Sequence, residues 1–153
     1  MSTLNWQWLA LHELDSAALY AVLEARQQVF VLEQQCLYAD IDGEDQRAYH
    51  LLGWNNDGGP RQLLAYLRCF APGITYPETV LGRVLTVQSA RGKGLGRQLM
   101  AEGIRRAEQH FPGSVMRISA QWHLERFYGE FGFAKASDSY LEDGIPHIKM
   151  LRK

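Results

Sequence analysis

The sequence predicts one mixed α/β domain of the α+β kind: a mostly antiparallel sheet, a parallel βαβ unit at its centre, and flanking helices. Three observations carry that expectation. An apolar run of strand length, Val80 to Val87, leads through the glycine loop Arg91-Gly92-Lys93-Gly94-Leu95-Gly96-Arg97 into a helical pattern ending near His110, and a short strand follows at Val115–Ala120. Strand, helix and strand in that spacing make the two strands parallel neighbours. On either side, strand patterns are separated by turn chemistry, Asn56-Asp57-Gly58-Gly59-Pro60 early and Glu142-Asp143-Gly144 late, which reads as an antiparallel hairpin at each end. Finally, 153 residues at 46% apolar and 22% charged suit a single core over residues 1–153, with no repeat or low-complexity linker to divide it.

Taken in order, Trp6 to Leu11 alternates as a first strand. A helix follows from a cap at Asp15 or Ser16 to about Phe30, with Ala18, Val22, Ala25 and Val29 on one face. Glu33 to Arg47 is polar and aperiodic, a long loop with room for one helical turn. Asp40, Asp42, Glu44 and Asp45 crowd together in it, either as a solvated loop or as an attractor for a cationic substrate. Strands at Tyr49–Asn55 and Gln62–Phe70 form the first hairpin, Ala71–Pro77 is a loop, and Thr79–Val87 is the next strand. Between Gly94 and His110 the helix puts Leu95, Leu99, Met100, Ile104 and Ala107 on one half, with Arg97, Glu102, Arg105 and Glu108 on the other. Pro112-Gly113 ends it. A short helix at Leu124–Phe131 carries the stripe Leu124, Phe127, Tyr128, Phe131 and stops at Gly132, and Phe133–Leu151 reads as two strands.

Several function classes lose ground at once. A net charge of −1 is not that of a protein that coats nucleic acid. No apolar run approaches ~20 residues, so no membrane span is expected. Met1 to Asn5 has neither the basic region nor the apolar block of a signal peptide, and the two cysteines, Cys36 and Cys69, suggest neither a disulfide framework nor a metal site. The cytoplasm is the expected location.

The glycine loop carries the chemistry. Glycines at 92, 94 and 96 let backbone approach a ligand, and the helix that follows offers free N–H groups and a positive dipole end. That is an anion site. The spacing is neither the G-x-G-x-x-G of dinucleotide folds nor the G-x-x-x-x-G-K-[ST] of triphosphate loops. With its surroundings, Arg91-x-x-Gly94-x-Gly96 after a strand ending Leu85-Thr86-Val87 resembles motif A of the GNAT superfamily of acyl-CoA N-acyltransferases. Gln121 to Phe133, with Tyr128 followed four residues later by Gly132-Phe133, resembles motif B. Phe30 to Cys36, Asp40 to Asp45 and Glu142 to His147 are similar to the ElaA-type branch of acetyltransferases. In two respects the chain departs from the superfamily pattern: Gln121 and Leu124 stand where Asn and Ala often begin motif B, and Thr79 to Ala90 holds no carboxylate to act as base.

The resemblance implies a single-domain GNAT fold, acetyl-CoA as co-substrate, no metal, and transfer to a primary amine of a small molecule or peptide by direct attack. Members of the family often dimerise, which makes a homodimer one of the states open to this chain. By the same resemblance the backbone of Gly92, Lys93, Gly94, Leu95, Gly96 and Arg97 holds the pyrophosphate. Lys93 or Arg97 adds a phosphate contact, and Arg91 either joins them or pairs with a carboxylate. The pantetheine amides run along Leu85, Thr86 and Val87, with Gln121 on the opposite side and the Val87 N–H as oxyanion donor. Tyr128 donates to the departing thiolate, and His147 is the favoured base over Glu33 and His50. A CoA-binding regulatory module is the second reading. An unrelated nucleotide-binding enzyme is the third.

Overall fold

The computed structural model describes residues 4–153. The first three residues, part of the stretch read for a leader, lie outside the described residues. Eight strands form one sheet in the order β1-β2-β3-β4-β5-β8-β6, with β7 also on β8. They are β1 (Asn5–Ala10), β2 (Tyr49–Trp54), β3 (Leu63–Phe70), β4 (Thr79–Thr86), β5 (Met116–Gln121), β6 (Ala134–Lys135), β7 (Tyr140–Glu142) and β8 (Ile145–Arg152). Among the described residues only β4 and β5 run parallel; every other pairing is antiparallel. The expected mixed sheet with a central βαβ unit is the observed one.

Alternation along the central strands builds two cores. Leu51, Ala65 and Leu67 point to the face covered by α2 (Leu95–His110), whose Leu99, Met100, Ile104 and Ala107 are buried there. Their neighbours Leu52 and Tyr66 point to the opposite face, under Ala18, Val22 and Ala25 of α1 (Ser16–Arg26). Burial on both faces is what a central strand needs in order to be apolar throughout. Trp8 and Trp54 are core residues.

Three elements differ from the sequence reading. The first helix is capped by Asp15, whose carboxylate accepts the Ala18 N–H at 2.7 Å, but α1 widens at Gln27–Glu33 into a π-helical segment. Such widened turns are frequent at functional sites. The short helix α3 is only Glu125–Gly129, preceded by a 3-10 turn at Trp122–Leu124. Its end tightens early, because the Gly132 N–H donates to Gly129 and the Phe133 N–H to Tyr128. The tail makes three strands rather than two. Between β6 and β7 the Ser137 hydroxyl accepts the Lys149 N–H at 2.9 Å, so a side chain takes over from the backbone ladder where the strand breaks.

The acidic loop is the largest revision. Much of the loop is exposed, but two of its carboxylates are not: Asp40 and Asp45 are each 6% exposed. Arg26, fully buried, binds Asp40 at 2.9 Å and Asp45 at 2.7 Å. Arg68 bridges Asp42 and Asp45, and Arg83 reaches Asp40 and Asp42. Three arginines meet three aspartates, so the cluster is neutral and offers no net attraction to a cation.

Candidate active site

The site begins with a defect in the sheet. β4 and β5 pair at Thr79↔Met116 and Val80↔Arg117 and then separate. A bulge between Tyr66 and Arg68 opposes Arg83, whose φ is 50°, and a bulge bends the strand that carries it. The opening is a cleft of about 260 Å³, walled by Leu81 to Val84 from β4 and by Ile118, Ser119 and Gln121 from β5. Phe30 at the widened end of the first helix and Tyr128 of α3 also line it, as do Glu142 and His147.

Register decides which backbone groups face that opening. The Val87 N–H donates to the Leu64 carbonyl at 3.0 Å, and the pairs Thr86↔Ala65 and Leu85↔Tyr66 follow. Antiparallel pairs alternate between bonded and non-bonded, so Leu85 and Val87 turn their backbone toward β3. Thr86, and by the same alternation Val84, turn theirs toward the gap. The Arg91 guanidinium confirms the direction by donating to the Thr86 carbonyl at 2.9 Å. This corrects the expectation for the strand: the Val87 N–H is engaged by β3, and the gap-facing amides are those of Val84 and Thr86. Sequence could not decide this, because a one-residue change of register exchanges the two sets.

At the end of the cleft stands the glycine loop. Gly92 and Gly94 have φ of 83° and 77°, in the left-handed region, and a Cβ at either would meet nothing within 4 Å. They are therefore glycine for backbone conformation, and the space beside them is open. The α2 ladder begins with the Gln98 N–H donating to Gly94 at 3.2 Å, so the N–H groups of Leu95, Gly96 and Arg97 precede it. Lys93 is exposed on this loop. Arg97 pairs with Glu130 and lies over the Phe127 ring, and Arg91 pairs with Glu33 at 2.8 Å.

Tyr128 is 8% exposed, edge-on to Phe127 and Phe133. Burial pushes its phenol up to about 12. His147 is 7% exposed, and its Nδ1 lies 2.7 Å from the Ile145 carbonyl. A carbonyl only accepts, so Nδ1 carries the proton and Nε2 of the neutral ring is an acceptor. That Nε2 lies 3.6 Å from Glu142 Oε2, and Glu142 Oε1 accepts the Ser119 hydroxyl at 3.0 Å. Gln121 ends β5 opposite His147 in register.

The other two candidate bases lie elsewhere. His50 is fully buried between the Tyr66 hydroxyl at 2.6 Å and the Asp45 carbonyl at 3.0 Å, and desolvation lowers its pKa. With both ring nitrogens engaged it has a structural role. Glu33 is tied to Arg91. Sequence reading also passed over Arg83, Val84 and Glu142 as parts of the cleft. A lone arginine within an apolar strand was the one signal that could have marked the bend.

Comparison with known proteins agrees with this geometry. A family model described as an acetyltransferase (GNAT) domain matches residues 21–153. The chain is 45% identical over 148 residues to a UPF0039 protein of Synechocystis, covering 97% of this chain and 94% of that one. It is 41% identical over 152 residues to protein ElaA of Escherichia coli, covering 98% and 97%. An acyl-CoA N-acyltransferase structure from Pseudomonas aeruginosa matches with a TM-score of 0.92 at 42% identity, over 99% of this chain and 100% of that one. The crystal structure of Escherichia coli ElaA matches at 0.89 and 41%, over 98% and 99%. A strand pair that parts beside a glycine-capped helix, on a chain alike over nearly its whole length to these proteins, belongs to the GNAT acetyltransferase family, among its ElaA-type members.

Proposed function

We propose that the protein transfers an acetyl group from acetyl-CoA to a primary amine of a small molecule or peptide, by direct attack within a ternary complex in the cytoplasm. The observation that carries this reading is the parting of β4 from β5 directly before a helix N-terminus with left-handed glycines. Unpaired backbone along β4 favours an extended ligand with amide groups, as an added strand would supply. The N–H groups at the start of α2 favour a diphosphate. Acyl-CoA has both parts in that order.

In this reading the amides of the arm bond to Val84 and Thr86, and the thioester carbonyl takes its oxyanion hydrogen bond from the Val84 N–H. Arg91 then leaves the Thr86 carbonyl. His147 Nε2 accepts a proton from the amine, whose nitrogen forms the new bond to the acyl carbon as the C–S bond breaks. The thiolate resembles cysteine at ~8.5, and Tyr128 at about 12 is a much weaker acid. Full proton transfer would be uphill by roughly 3.5 pKa units, so Tyr128 donates a hydrogen bond to the leaving sulfur rather than its proton.

The test is thiol release from acetyl-CoA with alkylamines, polyamines, amino acids, peptides and arylamines. Turnover with an amine at a rate well above hydrolysis is the expected result. Tight acetyl-CoA binding with no turnover on any amine would instead support a regulatory CoA-binding module, a reading favoured by the absence of any carboxylate between Thr79 and Ala90.

A further inference from the structure

We infer that Glu142 and His147 form a recognition site for a primary alkylammonium, so that the acceptor arrives as a cation and Glu142 selects it. The inference rests on the acetyl-transfer reading for the site's purpose, though not for its measurement.

The argument starts from a mismatch. His147 is more than nine-tenths buried, its tautomer is set by the Ile145 carbonyl, and among the described residues its Nε2 accepts no hydrogen bond. Opposite that lone pair, at 3.6 Å, is not a donor but a second acceptor, the Glu142 carboxylate. Two acceptors that converge leave a place for a group with several N–H donors. An ammonium has three, enough for Nε2, for Oε2 and for one partner more. A neutral arylamine has two weak donors and no charge to meet the carboxylate.

The surrounding charges agree. Among the described residues, the charged side chains lining the cleft, besides His147, are Arg83, Glu142 and Asp143. Arg83 is matched by Asp40 and Asp42. What remains is a negative balance concentrated in the β7–β8 turn. Glu142 is held from behind by the Ser119 hydroxyl, which itself lies beside the Tyr140 hydroxyl, and the Tyr140 ring stacks on His147 at 6.3 Å. The carboxylate is thus oriented by β5 and β7 together. The acidic loop, by contrast, has no charge to give.

The site also fits the proton balance. The alkylammonium gives one proton to Nε2 and becomes the nucleophilic amine. The imidazolium so formed is stabilised by Glu142 on one side and Ile145 on the other. After attack the nitrogen loses a second proton to solvent as the C–S bond breaks, the departing thiolate takes up one proton from the imidazolium or from water, and the net reaction releases one proton with the amide and the thiol.

The experiment is a titration of the CoA-loaded full chain with n-butylammonium chloride, read from the His147 ring signals by 1H–15N NMR, with n-butanol as the uncharged isostere. The expected result is a saturable shift with butylammonium and none with butanol. Glu142→Gln should weaken the butylammonium Kd about fivefold while the CoA Kd stays the same, and Asp143→Asn should weaken it less than twofold. No saturable shift in the wild type, a Glu142→Gln effect below threefold, or an equal effect of Asp143→Asn would each overturn the inference. Because binding is read without turnover, intact butylammonium binding with no acetylation of any amine counts against acetyl transfer alone. Acetylation with butylammonium affinity indifferent to Glu142 counts against this site alone.

Discussion

Tyr128 shows how burial assigns a chemical role. Its place on an apolar stripe is equally that of a core aromatic, and the structure makes it both: packed edge-on against Phe127 and Phe133, yet lining the cleft. Desolvation raises its pKa to about 12, so the neutral phenol, the donating form, persists throughout the working range. Tyr128→Phe should lower kcat about fivefold, the worth of one hydrogen bond of ~1 kcal/mol, with KM for acetyl-CoA little changed. A kcat within twofold of wild type, in a normally folded variant, removes the role. The basic limb of the rate profile should show no loss attributable to Tyr128 below about pH 11, since a raised pKa moves deprotonation upward. His50 is the opposite case. Sequence offered it as a base because histidine titrates near neutrality. Its position in β2, on the face shared with Tyr66 and Asp45, makes it a buried hydrogen-bond bridge.

Among the elements, the glycine loop and α2 were the most legible. Their period, cap and stop signals are local properties, and the observed helix runs Leu95–His110 as its pattern demands. Gly94 is the residue on which the loop turns, with φ 77° at the helix N-cap. Gly94→Ala should lower stability by about 1 kcal/mol from left-handed strain and weaken CoA binding as the loop relaxes, since no steric contact opposes the new methyl. Calorimetry on the free and CoA-bound forms checks both effects, and unchanged CoA affinity would sink the anion-site assignment of this loop. The tail was less legible. Its Asp-Gly turn is local, but the division of the preceding segment into β6 and β7 depends on Ser137 meeting Lys149 across the sheet.

At the scale of the whole molecule, the Arg26–Asp40–Asp42–Asp45–Arg68–Arg83 cluster joins the first helix, the long loop, β3 and β4 beside the cleft. Removing Arg26 leaves two nearly buried carboxylates without their main partner. Arg26→Met should therefore destabilise the fold by about 3–5 kcal/mol, a Tm drop on the order of 10 °C. A drop below about 3 °C would show that the network is dispensable. Its pH dependence follows from Asp42 and Asp45. Burial is the largest influence on each and pushes it up, but the Arg68 hydrogen bond on Asp42 and the Arg26 hydrogen bond on Asp45, with the neighbouring charges, outweigh it. Asp42 ends at about 2, and Asp45 is also lowered. Groups with depressed folded pKa values stabilise above the unfolded value of ~3.9 and lose that contribution as pH falls toward the folded one. The urea midpoint should be flat from pH 7 to 5 and fall between about pH 4 and 2. A Asp42→Asn variant should show a shallower fall.

By itself the sequence determined what is local: the order of strands and helices and the turns between them. These rest on periodicity and turn chemistry, which act between residues a few positions apart, whereas the glycine loop and Gln121–Phe133 pointed to the family by resemblance. Tertiary structure alone decided that the backbone of Thr86 and not that of Val87 turns away from β3, that the aspartates of the acidic loop are neutralised by three arginines, and that Glu142 meets His147. Each depends on register or on charges brought together across strands, as Arg83 and Asp40 are from 43 positions apart and Arg68 and Asp42 from 26. The physical reason is the same for all three: pairing across strands assigns every backbone group and side chain to one side or the other, and that assignment is made only when the strands meet.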